Sequence, residues 1–231
     1  MKKKYLKNLE VLRKKIYSYK HISSDNIDEL LKVRKKLQKK ETMSSKLCSI
    51  EKLKKWKYIN GKIRHSSNQF FSVEGVKIKN AKREVANWEQ IILNQPHGGI
   101  LALLVRETKK AGIEFLLHLR SEPGDKNIKF CPTFSATQSN MNRVHGGKKT
   151  DLYDEVIKQK GAEIIAKSIH NEEGARFWQK KNENWLVFLK NPNNKKTKQD
   201  KFIWANIWQI KKLGLEDCLI NPFIKTILFM I

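Results

Sequence analysis

Two apolar runs, Gly99–Arg106 and Ile113–Arg120, stand on either side of Lys109-Lys110-Ala111-Gly112. Long hydrophobic stretches divided by a short polar segment ending in glycine read as a β-hairpin, so the chain is built around a sheet. Further strands are expected at Gln69–Val73 and Val76–Ile78, on either side of Gly75, and at Glu163–Ser168 and Trp185–Leu189. Helices are expected at Leu152–Lys160, Glu172–Lys181 and Ile207–Leu213, and Asn191–Asp200 reads as a polar loop. Strands come first and helices are interspersed later, which predicts an α+β class with a mixed sheet.

The first quarter follows another rule. Leu6, Leu9, Leu12, Ile16 and Tyr19 recur at three- and four-residue spacing, as do Ile27, Leu30, Leu31 and Leu37. Two short amphipathic helices in a hairpin are expected, the second capped by Ser24 or Asp25, with lysines outward. Residues 1–60 thus read as a basic helical extension and 61–231 as the folded domain. A chain of 231 residues has room for one ordinary core plus such an appendage.

Composition narrows the function. The 39% hydrophobic content excludes a wholly disordered chain. No run approaches the ~18 apolar residues of a membrane span. The opening MKKKYLKNLEVLRKK has no apolar core or small-residue cleavage site, so no secretory signal is expected. Cys48, Cys131 and Cys218 stand far apart without a C-x-x-C, which suits a reducing cytoplasm and gives no zinc site. The net charge of +25 invites a nucleic-acid or anionic-membrane partner. Only eight of the 48 cations are arginines, the residue that two-point phosphate and base recognition favours, so nucleic acid ranks last among the partners.

The stretch Ser121–Gly147 follows an apolar strand and collects hydroxyls, amides, an arginine, a histidine and a glycine pair. Long polar connections in compact domains tend to carry function. Ser135, Thr137, Ser139 and Asn140 offer hydrogen bonds, and Arg143 offers a two-point fork for an oxyanion. His145 stands beside Gly146 and Gly147, where backbone can approach a ligand closely. Together they read as an anion or sugar pocket.

A wider set of motifs runs in a fixed order. It includes His65-Ser66, Phe70-Phe71, Gly75, Trp88-Glu89-Gln90 and Gly99-Ile100-Leu101. It continues with Ser121-Glu122-Pro123-Gly124, Pro132-Thr133, Ala136–Asn140, Arg143-Val144-His145 and Gly147. Downstream stand Glu172–Phe177, Lys180-Lys181-Asn182, Trp204 and Asn221. This order resembles that of the NDP-hexose 2,3-dehydratases, which act on nucleotide-linked 4-keto-6-deoxyhexoses in deoxysugar biosynthesis. The chain departs from the family pattern at Ser67, Ile91, Asp125, Lys181 and Lys225. Family members resemble two tandem copies of such a unit. A homodimer of this single copy is therefore expected.

The resemblance implies a Nudix-like mixed sheet flanked by helices, although the Nudix hydrolase signature is missing. It implies a carbon–oxygen lyase that needs no redox cofactor and no metal. The substrate is expected to be a thymidine diphosphate sugar, with a guanosine nucleotide as the alternative. Glu122 and His145 are the leading acid–base candidates, with His65 and Tyr153 in reserve. Arg143, Arg176 and Lys180 suit the diphosphate, and Trp88 a nucleotide base. Gly75, Pro132 and Trp204 are assigned to architecture. Each assignment has a plainer counterpart: an ion pair or turn for Glu122, a turn-ordering ring for His145, a surface cation for Lys180, a core side chain for Trp88. A non-catalytic nucleotide-sugar binder, a Nudix-type hydrolase and a basic nucleic-acid-binding protein are the alternative functions.

Overall fold

A computed structural model describes residues 2–144, 146–190, 197 and 199–231. The chain begins with helices α1 (Lys2–Ser18) and α2 (Asp28–Gln38). Strands β1 (Trp56–Ile59), β2 (Lys62–His65), β3 (Ser72–Ile78) and β4 (Trp88–Asn94) follow, then β5 (Gly99–Thr108) and β6 (Gly112–Arg120). Next come β7 (Lys129–Pro132), β8 (Phe134–Thr137) and two single-turn helices, α3 (Gln138–Met141) and α4 (Tyr153–Val156). Strands β9 (Ala162–Asn171), β10 (Lys181–Leu189) and β11 (Phe202–Asn206) precede helices α5 (Ile207–Leu213) and α6 (Pro222–Leu228).

Among the described residues the strands form two sheets. The smaller is antiparallel in chain order, β1-β2-β3-β4; the larger runs β11-β6-β5-β10-β9, with β7 beside β6 and β8 beside β5. Only the β5–β10 pairing is parallel, which makes the larger sheet mixed and the class α+β as expected. Ala102 to Val105 are completely buried because helices cover both faces. Leu101, Leu103, Phe115 and Leu117 pack against Leu9, Leu12 and Ile16 of α1, Ile210 of α5 and Ile227 of α6. On the other face Ala102, Leu104, Leu116 and Val187 meet Leu152 and Val156 around α4.

The hairpin strands β5 and β6 part company beyond Val105 and Phe115, and β7 and β8 fill the fork. Thr133 sits buried at its apex. Its hydroxyl accepts from Leu104 N–H at 3.0 Å and donates to the Leu116 carbonyl, so two backbone groups that the parting strands release are paired again.

Several expectations are corrected. The helix expected at Glu172–Lys181 is the turn joining β9 to β10. Non-local pairing overrides its helix-forming residues: Leu93 N–H of β4 donates to Arg176 O at 2.8 Å, and Trp178 N–H returns to Leu93 O at 2.9 Å. The helix expected over Leu152–Lys160 shrinks to α4. The two strands around Gly75 are one, β3, with Gly75 opposite Ile91. Neither Ser24 nor Asp25 caps α2; Asn26 Oδ1 accepts Asp28 N–H at 2.8 Å instead. The division at Gly61 falls inside a hairpin, whose Asn60 and Gly61 take φ of 51° and 75°. A two-residue Asn-Gly loop of that kind matches strand twist, so β1 and β2 pair directly across it. The first helices are likewise part of the main core rather than standing off it. Most of Asn191–Asp200 lies outside the described residues. No helix among those described is long and apolar enough to cross a membrane.

Candidate functional site

Side-chain alternation puts Val76, Ile78, Trp88, Gln90 and Ile92 on one face of the smaller sheet. That face lines a cleft of about 800 Å³ whose other wall is the turn from Asn171 to Lys181, with Arg83 at its margin. Trp88 Nε1 donates to Gln90 Oε1 at 2.8 Å, and Gln90 Nε2 donates to Ala175 O at 2.7 Å, so the indole is tied to the opposite wall. Across the cleft Lys180 and Glu172 form an ion pair at 3.3 Å, their side chains only 8% and 12% exposed. Charged groups so nearly removed from water need partners. Lys180 lies 4.5 Å from the Phe177 ring, and Glu172 Oε1 also accepts from Asn182 Nδ2 at 2.7 Å. Arg176 is exposed and pairs with Glu173 at 3.3 Å.

A second hollow, of about 310 Å³, is lined by Lys55, His65, Ser66, Ser67, Phe70 and Val144. The His65 ring stands edge-on to Phe70 and Trp56, with centroids 4.7 and 5.7 Å away. Its Nδ1 accepts Ser67 N–H at 3.2 Å and lies 2.8 Å from Ser67 Oγ. An accepting Nδ1 leaves the neutral ring's proton on Nε2. The strand register puts the hollows at opposite ends of the β3–β4 ribbon. Ile78 pairs with Trp88 at the cleft end and Ser72 with Asn94 at the His65 end.

The structure therefore joins some of the expected site residues and separates others. His65 shares a hollow with Val144, and Trp88 shares the cleft with Lys180. His145 lies outside the described residues. Glu122 lines neither recess, because both of its oxygens are engaged: Oε1 by Arg120 Nη2 at 2.7 Å and Oε2 by Asn221 Nδ2 at 3.1 Å. It ties the end of β6 to the cap of α6. Tyr153 packs in the core beneath α4, with the Lys149 ammonium 4.6 Å from its ring. Ser135 lies within β8 opposite Leu101. Thr137 caps α3 by accepting Asn140 N–H, and its hydroxyl is 2.9 Å from that of Ser139. Arg143 is exposed with its backbone in the left-handed region at φ 52°, and Gly146 shares that conformation at 69°. Gly146 N–H donates to Arg143 O at 2.9 Å, while Gly147 is exposed at the end of the same turn.

Glu172, Asn182, Gln90 and Arg83 were not singled out from the sequence. Glu172 stood in a matching stretch, but on an expected helix it faces nothing at Lys180. Across a strand-to-strand turn the two face each other directly.

An aromatic side chain, several cations and a largely covered carboxylate around an open cleft suit an anionic ligand that carries rings. The comparisons make this class specific. The family model for NDP-hexose 2,3-dehydratase matches residues 27–231, and the chain belongs to that family. It is similar to the dTDP-4-dehydro-6-deoxy-alpha-D-glucopyranose 2,3-dehydratase of Saccharopolyspora spinosa, 28% identical over 77% of this chain and 36% of that protein. Proteins of the same description from Amycolatopsis orientalis and Streptomyces violaceoruber are 29% and 30% identical over 74% and 73% of the chain. The chain spans 36–38% of the length of these curated relatives.

Proposed function

We propose that this chain binds a thymidine diphosphate-linked 4-keto-6-deoxyhexose in the cleft between Trp88 and the β9–β10 turn and eliminates its C2 hydroxyl. It would act as a carbon–oxygen lyase. The observation that carries the reading is the meeting of Trp88 with the Glu172–Lys180 pair across one cleft. Arg83 and Lys181 line the cleft as partners for a diphosphate, Arg176 stands exposed on the same turn, and Trp88 would stack on a base. The names of the relatives support the nucleotide and the sugar.

The chemistry follows from the substrate. A C4 ketone acidifies the C3 hydrogen, and the C2 hydroxyl is β to that ketone. Loss of H3 gives an enolate, which expels the C2 oxygen, and the 3-hydroxy enone becomes a 3,4-diketone. The oxidation at C3 is internal to the sugar, so no redox cofactor enters this scheme. A homodimer in the cytoplasm belongs to the same reading. It is supported by an apolar groove between α1, α5 and α6, beside which Leu215 and Phe229 stand 80% and 87% exposed, and by the free thiols of Cys48 and Cys218.

Hydrogen exchange with and without thymidine diphosphate tests the location. Binding should slow exchange of amides in β4 and in the 171–181 turn. Protection confined to the His65 hollow, or none at saturating nucleotide, would count against the cleft.

A further inference from the structure

We propose that Glu172 is the base that removes the C3 proton and that Lys180 holds the enolate it creates. This assignment rests on the dehydratase reading above and names the group that performs its first step.

The carboxylate is held in an asymmetric way. Glu172 Oε1 takes Asn182 Nδ2 at 2.7 Å and Lys180 Nζ at 3.3 Å, whereas no described residue donates to Oε2. Glu89 and Glu173 of the matching stretches also have one oxygen paired, but they stand 72% and 62% exposed in water. The two less exposed carboxylates, Glu122 and Glu74, are fully held. Glu122 has both oxygens occupied by Arg120 and Asn221. Glu74 has Oε1 taken by Ser72 and Asn94 and Oε2 by Lys62. A base needs an oxygen that is oriented and yet unoccupied, and Glu172 alone among these three has one.

Asn182 is the positioning residue. Its Oδ1 accepts Gly99 N–H at 2.9 Å, which fixes the amide so that Nδ2 points at Glu172. Gly98 permits this approach: a methyl group there would lie 1.8 Å from the Lys181 carbonyl oxygen. Three separated matching stretches, at Gly99, Glu172 and Lys180–Asn182, therefore converge on one carboxylate. An ammonium carries three donors, and Lys180 directs one at Glu172 while lying against the Phe177 ring. That leaves it able to donate to the sugar's O4, where charge develops.

The step balances. The C3–H bond breaks, the proton passes to Glu172 Oε2, and the electron pair forms C3=C4 with the charge on O4 beside Lys180. The C4 carbonyl then reforms, C2=C3 forms and the C2–O bond breaks. The departing oxygen takes the proton from Glu172 and leaves as water. Glu172 is restored, and the enol proton moves from O3 to C2 to give the diketone.

The test uses the full chain with dTDP-4-keto-6-deoxyglucose in deuterated water. Glu172→Gln should lower turnover by about 10²–10⁴ and abolish deuterium entry at C3 of recovered substrate. Its affinity for thymidine diphosphate should stay within about threefold of wild type, since uniform binding is untouched. Active wild type with Glu172→Gln still exchanging and turning over at more than about a tenth of its rate would overturn the assignment. A variant that folds and loses nucleotide affinity together with turnover would show a structural staple, and would overturn it too. Should Glu172→Gln not fold, Glu172→Asp decides. Retracting the carboxylate by one methylene should cut turnover at least about tenfold with nucleotide binding kept, and unchanged turnover would refute the role. If the wild type binds thymidine diphosphate yet neither exchanges nor dehydrates, the dehydratase reading fails and takes this assignment with it.

Discussion

Replacing Gly98 with alanine should lower the stability of the chain by about 2–4 kcal/mol, a large effect for adding one methyl group. The added carbon would meet a backbone oxygen, that of Lys181, at 1.8 Å. A side chain could swing away; a carbonyl inside a ladder cannot. Either the start of β5 retreats from β10, breaking Gly99 N–H to Asn182, or the β10 end of the hairpin shifts. Both strands lie at the centre of the larger sheet, so neither movement is local. Equilibrium unfolding in urea measures the loss, and a variant within about 0.5 kcal/mol of wild type would show that the approach is not tight. The same substitution should disturb Glu172 through Asn182, so residual folded variant should turn over more slowly than the wild type.

What made Gly98 invisible in advance explains how the reading of the sequence divided. The β5–β6 hairpin was legible because its residues are buried on both faces and carry their own signal over nine or ten positions. Helix α5 was legible to the residue, with Asn206 as a cap and apolar positions at helical spacing. Strands β7 and β8 were hidden in a polar stretch, because each has four residues and is defined by its neighbour rather than by its composition. The turn at 172–180 was misread because β4, some eighty residues away, supplies its hydrogen bonds. The candidate site followed the same division. Trp88 and Lys180, singled out by type and motif, line the proposed cleft, and His65 lines the second hollow. Glu122 lies outside both recesses, held by Arg120 and Asn221, and the second of these becomes its neighbour only in the fold.

Acid should destabilise the chain at an unexpected place. His118 lies on β6 with its ring 4.6 Å from that of Phe202. Burial, and then the nearby Arg120 and Lys201, push its pKa from 6.5 down to about 4. The folded chain thus keeps the ring neutral where the unfolded chain protonates it. Between those two values the unfolded state binds more protons, so stability rises with pH across the window. The contribution is complete above 6.5 and is lost as pH falls toward 4. At one unit per 1.36 kcal/mol, the loss comes to about 2–4 kcal/mol. Carboxylates such as Glu74, held below their usual range chiefly by the Lys62 hydrogen bond, lose their contribution only under 4.5. Urea midpoints at about pH 7 and about pH 5 should therefore differ for the wild type and draw together in His118→Gln. An equal pH dependence in both would show that His118 is not the group responsible.

The most direct test of the account is the reaction itself. The full chain, incubated with dTDP-4-keto-6-deoxyglucose in deuterated water, should release water and form the 3,4-diketo product with solvent deuterium at C2. Mass spectrometry and proton NMR read both changes in one sample. Substrate returned intact, with its original hydrogen at C3, from a chain shown in a separate sample to bind thymidine diphosphate would contradict the claim that this cleft performs a 2,3-dehydration.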